Sequence, residues 1–220
     1  MNKWWITDEV RYGWKFVHRE DRLKLPSLNG REPFAMEKAA EAWEAGLAKA
    51  NDLIGGAARA GKRLGLLVSP MLSCEDAFLL ASWVLALDPK AELGVGPVPV
   101  HGVDKSFPGG FTMCAEKAPN ARGVRRVLEA LAAGRAVHDA GAFEKALAAG
   151  SMGAAVVTGN YPSDWVDNGL RDALARVPFV LIDTLPTALT GMAEVVLPMI
   201  GDLPPSVPCS KPRTEPRPPP

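Results

Sequence analysis

The chain is 220 residues long, with 47% hydrophobic and 23% charged residues, a composition typical of a soluble globular protein. Its 25 basic and 25 acidic residues give a formal net charge of zero, so no overall field attracts nucleic acid or an anionic membrane. No apolar run approaches the ~20 residues of a membrane-spanning helix, and no signal-peptide core is present. We therefore expect a cytoplasmic chain without direct membrane insertion.

The three cysteines, Cys74, Cys114 and Cys209, are widely separated in the sequence. They form no C-x-x-C pair and have none of the short spacings that metal sites use. We therefore predict free thiols and no metal site in this chain.

Residues 1–33 differ in composition from the rest of the chain. Five aromatic side chains occur within the first sixteen residues: Trp4, Trp5, Tyr12, Trp14 and Phe16. Charged residues of both signs lie between them, and no clean periodicity is present. The pattern is typical of an arm that lays aromatic rings on a neighbouring surface and keeps its charges hydrated. Aromatic and basic residues together also occur in single-strand nucleic-acid binders, but the nearly balancing acidic residues argue against that function.

The first regular elements follow this arm. Residues 36–60 carry apolar side chains at helical spacing and predict a long amphipathic helix that Gly61 ends. Residues 64–69 predict the first core strand. The next helix, residues 73–87, begins with Ser73 three positions before Asp76, the spacing of a capping box.

Residues 94–119 are rich in glycine and proline and predict a long loop. The pair Gly94 and Gly96 does not form a dinucleotide fingerprint, because Pro99 occupies the place of the third glycine. His101, in this loop, is expected to be solvated rather than catalytic. Helices are predicted over residues 121–133, with Asn120 as the N-cap, and over residues 141–149.

The chain is organised around residues 152–198. Three apolar runs there predict the strands 154–158, 179–182 and 195–197, with a helix over residues 164–176 and a short helical piece near residues 186–190. Short continuous runs of Val, Ile, Leu and Ala are typical of strands that are covered on both faces. Their alternation with helices predicts an α/β fold with a doubly wound, mostly parallel sheet.

Ligands of such sheets bind at the carboxyl ends of the strands. Those ends carry the candidate cofactor-binding residues of the chain: Gly159, Asn160, Asp183 and Thr184. Glycine lets the backbone bend tightly, and asparagine tolerates unusual dihedral angles and offers an amide. Ordinary turns are the alternative interpretation. We predict no catalytic residue, because no nucleophile–base pair, metal cluster or phosphate loop is present.

Three runs in this region resemble a known family. They are Thr158-Gly159-Asn160-Tyr161-Pro162, Val180-Leu181-Ile182-Asp183 and Ala193-Glu194-Val195-Val196-Leu197-Pro198. Their order is similar to the core of the molybdopterin oxidoreductase superfamily, and most similar to the large G-type subunit of bacterial NADH-quinone oxidoreductase. Residues 4–18 (WWITDEVRYGWKFVH) and 21–26 (DRLKLP) resemble the end of the small iron–sulfur domain of that family. Thr7 stands where the family has its last cluster cysteine, and Val10 where it has a glycine.

The resemblance implies a Rossmann-like domain of the molybdopterin oxidoreductase type in residues 34–199, preceded in residues 1–33 by a remnant of a 4Fe-4S Mo/W bis-MGD-type domain. It implies an oxidoreductase subunit that associates with other subunits of a respiratory NADH-quinone oxidoreductase-like complex, peripheral to the inner membrane. It also makes Gly159, Asn160, Asp183 and Thr184 pterin-type loop residues. The family uses 4Fe-4S clusters and molybdopterin guanine dinucleotide. Because the cluster cysteines are missing, we expect this chain to bind neither and to be a scaffold rather than a catalyst.

Residues 200–220 are low in complexity, with eight prolines from Pro204 onward, and predict a disordered or polyproline-like tail. The continuation that the family normally has after its VVLP strand is absent, which suggests the hypothesis of a shifted reading frame or a truncated gene. Three functions remain open from the sequence: an oxidoreductase subunit, a non-catalytic interaction domain or nonfunctional gene fragment, and a free-standing small-molecule enzyme of Rossmann type. The sequence also leaves open whether a pterin binds.

Overall fold

The structure is a computed structural model that describes residues 12–31, 34–108 and 110–199. Within these residues the chain forms eight strands: β1 Ser27–Leu28, β2 Leu64–Val68, β3 Glu92–Val95, β4 Lys105–Phe107, β5 Phe111–Met113, β6 Ala154–Thr158, β7 Phe179–Asp183 and β8 Val195–Pro198. The same residues form five α-helices: α1 Ala39–Arg59, α2 Cys74–Leu87, α3 Ala121–Leu131, α4 Ala140–Ala148 and α5 Asn168–Leu174. Two short 3-10 helices, Gly13–His18 and Met36–Lys38, precede α1.

Six of the strands form one sheet in the order β1-β8-β7-β6-β2-β3. Every neighbouring pair is parallel except β1 and β8, which are antiparallel. In the middle of the sheet Val156 lies beside Leu66 on one side and Val180 on the other. These central residues are fully buried, as parallel strands with helices on both faces require. The expected α/β fold with a mostly parallel, Rossmann-like sheet is therefore confirmed.

Helices cover both faces of the sheet. On one face α1, α2 and α3 pack over an aliphatic core that includes Ile54, Leu66, Val84, Leu128 and Val156. On the other face α4 and α5 pack over a second core that includes Phe143, Leu147, Val157, Leu174 and Leu181. Alternate residues of each strand point to opposite faces, so β6 contributes Val156 to the first core and Val157 to the second.

The strand order reverses between β2 and β6. From β2 the chain passes through α2 to β3 on one side, and it later returns to β6 on the other side of β2. In open α/β sheets the crevice outside the carboxyl ends of two such strands is the usual position of a ligand site. The segments that follow β2 and β6 begin with Ser69 and Gly159, which places the predicted loops at this crevice.

The predicted strands of residues 64–69, 154–158, 179–182 and 195–197 agree with β2, β6, β7 and β8 to within one residue. The predicted helix over residues 164–176 is wrong in its first turn, because α5 begins at Asn168 and ends at Leu174. Asp167 is the true N-cap, and its carboxylate accepts a hydrogen bond from the Leu170 N–H at 2.8 Å. The short helical piece near residues 186–190 is a hydrogen-bonded turn.

The predicted loop of residues 94–119 is also partly wrong. Its first residues belong to β3, and residues 105–113 form a two-stranded antiparallel ribbon of β4 and β5. Gly94 obscured β3 in the sequence because glycine is disfavoured in strands. The structure requires this glycine, since a Cβ there would lie 2.8 Å from the Phe143 ring. Asn120 precedes α3, but its side chain does not cap the helix and donates to the Leu72 carbonyl instead, at 2.8 Å.

The end of the N-terminal arm joins the α/β body. The Leu23 N–H donates to the Thr184 carbonyl at 3.0 Å, Leu25 is buried beside α1, and β1 adds an antiparallel edge to the sheet. Thr7, Val10 and the aromatic residues Trp4 and Trp5 lie outside the described residues, as does the predicted tail of residues 200–220. No helix in the described part of the chain has the length and apolar character needed to cross a bilayer.

Candidate functional site

A cleft of about 600 Å³ lies at the carboxyl edge of the sheet. Its lining comes from the N-terminal arm, from α1, from the start of α2, from the loops after β6 and β7, and from the end of β8. The side chains that face it include Arg22, Trp43, Met71, Asp76, Asn160 and Thr184. The sequence folds this way because the carboxyl ends of parallel strands share one edge, where the loops that follow them become neighbours.

Asp183, the last residue of β7, holds two of these loops together. One carboxylate oxygen accepts hydrogen bonds from the backbone N–H groups of Asn160 at 2.8 Å and Thr184 at 2.7 Å. The other accepts from the indole N–H of Trp165 at 3.0 Å. The Thr184 hydroxyl donates to the side-chain oxygen of Asn160 at 2.7 Å. We call these four residues, Asn160, Trp165, Asp183 and Thr184, the Asp183 clasp.

Burial sets the electrostatic state of the clasp. Asp183 is only 1% exposed, and removal from water raises the pKa of its carboxyl above the ordinary value. The hydrogen bonds from Asn160, Trp165 and Thr184 oppose that shift because they stabilise the charged form. The carboxyl therefore lies in a site where ionisation is disfavoured but the oxygen atoms are well supplied with donors.

The backbone after β6 is shaped to fit this carboxyl. Asn160 has a φ of 74°, in the left-handed region that asparagine tolerates better than most residues. Gly159 leaves room for Asp183, because a Cβ at position 159 would overlap the carboxylate. The Gly159 N–H also donates to the Ile182 carbonyl at 2.8 Å, which keeps the loop beside β7. The Gly-Asn pair is thus explained by the geometry of the clasp.

A buried hydroxyl joins the strands at the point where their order reverses. The Thr158 hydroxyl accepts from the Ser69 N–H at 2.7 Å and donates to the Leu67 carbonyl at 3.3 Å. Both Thr158 and Ser69 are fully buried. Buried backbone groups need partners, and the threonine side chain supplies them where the sheet ladder between β2 and β6 ends. Thr158 and Ser69 are therefore structural at this position.

Two aromatic rings stack on each other in the loop after β6. Tyr161 and Trp165 stack with a centroid distance of 5.0 Å and an interplanar angle of 22°. The Tyr161 hydroxyl donates to the Pro97 carbonyl at 2.7 Å, and burial raises the pKa of this phenol. Tyr161 therefore remains a neutral donor that ties the loop after β3 to the clasp. A separate cleft of about 350 Å³ lies beside this aromatic pair.

The start of α2 at the cleft is already occupied by its own side chains. The Ser73 hydroxyl accepts from the Asp76 N–H at 3.0 Å and donates to the Asp76 carboxylate at 2.8 Å. Ser73 is therefore the N-cap of α2, but Asp76 binds the Ser73 hydroxyl rather than its backbone N–H, so only half of the predicted capping box forms. A carboxylate in the first turn complements the helix dipole, so the N-terminus offers no unopposed positive charge to a phosphate.

No family model matches the sequence, and no curated protein matches it either. Among the residues that the structure describes, no group of three or more His, Cys, Asp or Glu side chains is placed to hold a metal ion.

The structure brings the four predicted site residues together but gives them different positions. Asn160 and Thr184 line the cleft, whereas Gly159 and Asp183 lie behind it and support the loop. The sequence interpretation did not include Trp165, whose indole completes the clasp. It also does not place Arg22 and Trp43 at the cleft, where Trp43 lies while packing, partly buried, against the first core. A signal for Trp165 existed in its separation of only five residues from Asn160.

The polar groups that face the cleft do not fit a pterin, whose ring edge needs several free donors and acceptors. The Asn160 oxygen and the Thr184 hydroxyl bind each other, and Asp183 directs its oxygen atoms to the protein. The Arg22 guanidinium donates to the Met199 carbonyl at 3.3 Å. These contacts use the Asn160 oxygen, the Thr184 hydroxyl and the Asp183 carboxylate within the protein.

Proposed function

We propose that this chain is a non-catalytic scaffold domain of an oxidoreductase complex, of the molybdopterin oxidoreductase type. The observation that carries the proposal is the Asp183 clasp. In a Rossmann-like sheet the polar groups at the strand ends usually reach a ligand. Here those groups bind one another, so the usual site serves to hold the loops in place.

The assignment to an oxidoreductase complex draws on the sequence resemblance together with the fold. The resembling runs fall on β6 with its loop, on β7 with Asp183 at its end, and on β8. A mostly parallel α/β sheet is the architecture that the resemblance implies. The proposed partners are the other subunits of a respiratory NADH-quinone oxidoreductase-like complex.

The test is to delete the gene in the host and to follow complex assembly on native gels. A scaffold subunit comigrates with the complex, and its loss lowers the amount of assembled complex but leaves the NADH-quinone activity of each assembled complex unchanged. Reintroduction of the chain restores the amount.

Two results would overturn the proposal. A chain that migrates alone, with normal assembly in the deletion strain, would indicate an interaction domain of another system or a nonfunctional fragment. A fall in activity per assembled complex after substitution of Asn160 or Thr184, with assembly intact, would indicate a working site at the cleft.

A further inference from the structure

An apolar groove separates α1 from α2 on one face of the sheet. It has a volume of about 490 Å³, and its floor is formed by apolar side chains of β7 and β8. We call it the α1–α2 groove. Its lining includes Leu47 and Asn51 of α1, Leu80 and Trp83 of α2, and Ile182 and Leu197 of the sheet. The layer of helices on this face is thus incomplete at the position of the groove.

The exposed surface of α2 is also apolar. Leu79, beside the groove residue Leu80 in the sequence, is 64% exposed, and Phe78, on the opposite flank of the helix from Leu80, is 50% exposed. No charged residue occurs in α2 after Asp76, and the next is Asp88, just beyond its end. A helix that is apolar on all sides is normally covered on all sides. The outer side of α2 therefore has the character of an interface.

The rim on the α1 side is acidic. Glu37, Glu41 and Glu44 recur at a spacing of three to four residues and are exposed on one stripe. Ala48 and Asn51 continue this stripe into the wall of the groove. Lys38 lies 3.8 Å from Glu41 and offsets part of that charge. Glu44 lies one turn before Ala48, and the exposed Asp52 directly follows Asn51, so acidic residues flank the groove-lining part of α1 on both sides in the sequence.

We propose that the α1–α2 groove binds an amphipathic helix of a partner subunit, with apolar anchors in the groove and lysine or arginine residues along the flank that faces α1. Both walls are helices, so a third helix would complete the layer by ordinary helix packing. An extended peptide does not fit as well, because its backbone N–H and C=O groups would lie unpaired over an apolar floor. A helix satisfies these groups internally.

That the bound helix belongs to another subunit rests on the proposed function. That the groove is apolar with an acidic rim, and so takes a basic amphipathic helix, does not rest on it. A synthetic 16-residue helical peptide is therefore the probe, with leucine at positions i, i+3, i+4 and i+7 and lysine along one flank. Its matched control has glutamate in place of each lysine. Binding of each labelled peptide to the full chain is measured by fluorescence anisotropy.

The lysine peptide is expected to bind roughly tenfold more tightly than the glutamate peptide. The reason is that two or three ion pairs with the acidic rim replace two or three repulsive contacts. The double variant Glu41→Lys with Glu44→Lys should reverse the preference. Leu47→Ser should weaken both peptides several-fold, because Leu47 lines the groove and is 54% exposed, so its loss leaves the fold intact. Val100→Ser, at a position 69% exposed and far from the groove in sequence, is the control and should change neither affinity.

Equal affinity for the two peptides, or no binding of either up to about 1 mM, overturns the proposal. A dimer in sedimentation that Leu47→Ser dissociates would assign the groove to a second copy instead. Binding that appears only after removal of residues 1–11 or 200–220 would assign it to the chain itself. If the peptide results are as expected but the chain does not comigrate with the complex, the proposed function fails and the groove assignment stands.

Discussion

Asp183 accepts hydrogen bonds from two loops, and an amide in its place cannot accept all of them. In Asp183→Asn one oxygen becomes an NH₂ group that must face the Trp165 indole N–H or the two backbone donors. We expect the free energy of unfolding to fall by about 1–3 kcal/mol, the usual effect of leaving buried donors unpaired. Urea denaturation followed by circular dichroism measures it.

Combining Asp183→Asn with Trp165→Phe tests whether the loss of stability comes from the contact between these two side chains or from general disruption of the fold. Phenylalanine removes the indole donor, so the amide of Asp183→Asn no longer meets a second donor there. The loss caused by Asp183→Asn should therefore be smaller in the Trp165→Phe background than in the wild type. Strictly additive losses would contradict the role assigned to this contact.

The raised pKa of Asp183 makes part of the stability pH-dependent. The native state holds its proton to a higher pH than the unfolded chain, whose carboxyl titrates near the ordinary value of 3.8. Stability from this group is therefore complete below that value and is lost as the pH rises through the native pKa. The destabilisation by Asp183→Asn should be larger at pH 4 than at pH 7, as urea denaturation at both values would show. A larger loss at pH 7 would mean that the native carboxylate is stabilised instead.

A substitution at Gly159 tests how closely the loop after β6 packs against the Asp183 carboxylate, and it changes no charge. Its Cβ would overlap the Asp183 carboxylate, whereas a Cβ at Gly191 would meet no atom within 4 Å. Neither glycine has a positive φ, so alanine adds only volume. We expect Gly159→Ala to lower the free energy of unfolding by about 1–3 kcal/mol and Gly191→Ala to change it by less than about 0.5 kcal/mol. Equal effects in thermal unfolding would show that the clearance is unimportant.

Part of this site could be predicted because parallel strands end at one edge. That rule alone brought Asn160, Asp183 and Thr184 together from two separate segments. It could not show that they bind one another, since hydrogen-bond partners depend on tertiary distances. The same limit applies to Arg22 and Trp43, whose positions at the cleft depend on how the arm and α1 pack.

Among the helices and strands, those buried on both faces were the easiest to predict from the sequence. The strands β2, β6, β7 and β8 are continuous apolar runs because helices cover both of their faces, and such runs are visible in the sequence. By contrast β1 has two residues, and β3 has four, of which one is charged and one is glycine, so their pairing with distant strands decides their conformation. The start of α5 was misplaced because Asp164 and Asp167 both resemble N-caps, and the Asp164 carboxylate accepts from the Val166 N–H at 3.3 Å in a local turn.

The ribbon of β4 and β5 is predicted to contribute little to the stability of the fold. Its side chains at Lys105, Ser106 and Thr112 are exposed, and β4 and β5 pair with each other rather than with the main sheet. Replacement of residues 102–114 by Asn-Gly, a two-residue hairpin turn between His101 and Ala115, should keep their backbone hydrogen bond. We expect the melting temperature to change by less than about 4 °C, since about 1 kcal/mol shifts it by that much or less in a chain of this size. A drop well beyond this would show that the ribbon supports the core.

The whole molecule has two unequal faces. α4 and α5 cover one face with a core of large, fully buried side chains, whereas the opposite face retains the α1–α2 groove over β7 and β8. The clasp ties two loops together at the carboxyl edge, and α2 exposes apolar side chains. Loops tied together at the carboxyl edge and an apolar groove on one face support the proposed scaffold function.

The chain by itself is predicted to assemble no iron–sulfur cluster. A cubane cluster typically needs four cysteine thiolates, and this sequence has three. Cys74 is partly buried in the first turn of α2 with its sulfur 3.5 Å from the Asn120 amide nitrogen, and Cys114 is exposed beyond the ribbon. Thr7 is a poor substitute for a cluster cysteine, because its hydroxyl stays protonated at neutral pH and is a hard donor.

Reconstitution with iron and sulfide, followed by gel filtration, absorbance and electron paramagnetic resonance, tests this expectation. We expect no stoichiometric cluster signal in the protein fraction, and a signal that survives gel filtration would contradict it. Elemental analysis of protein from its own host extends the test to molybdenum and tungsten, for which we expect well under one atom per chain. Near one atom per chain would mean that the loops at Asn160 and Thr184 open from the clasp and form a working site, and Asp183→Asn should then change the metal content.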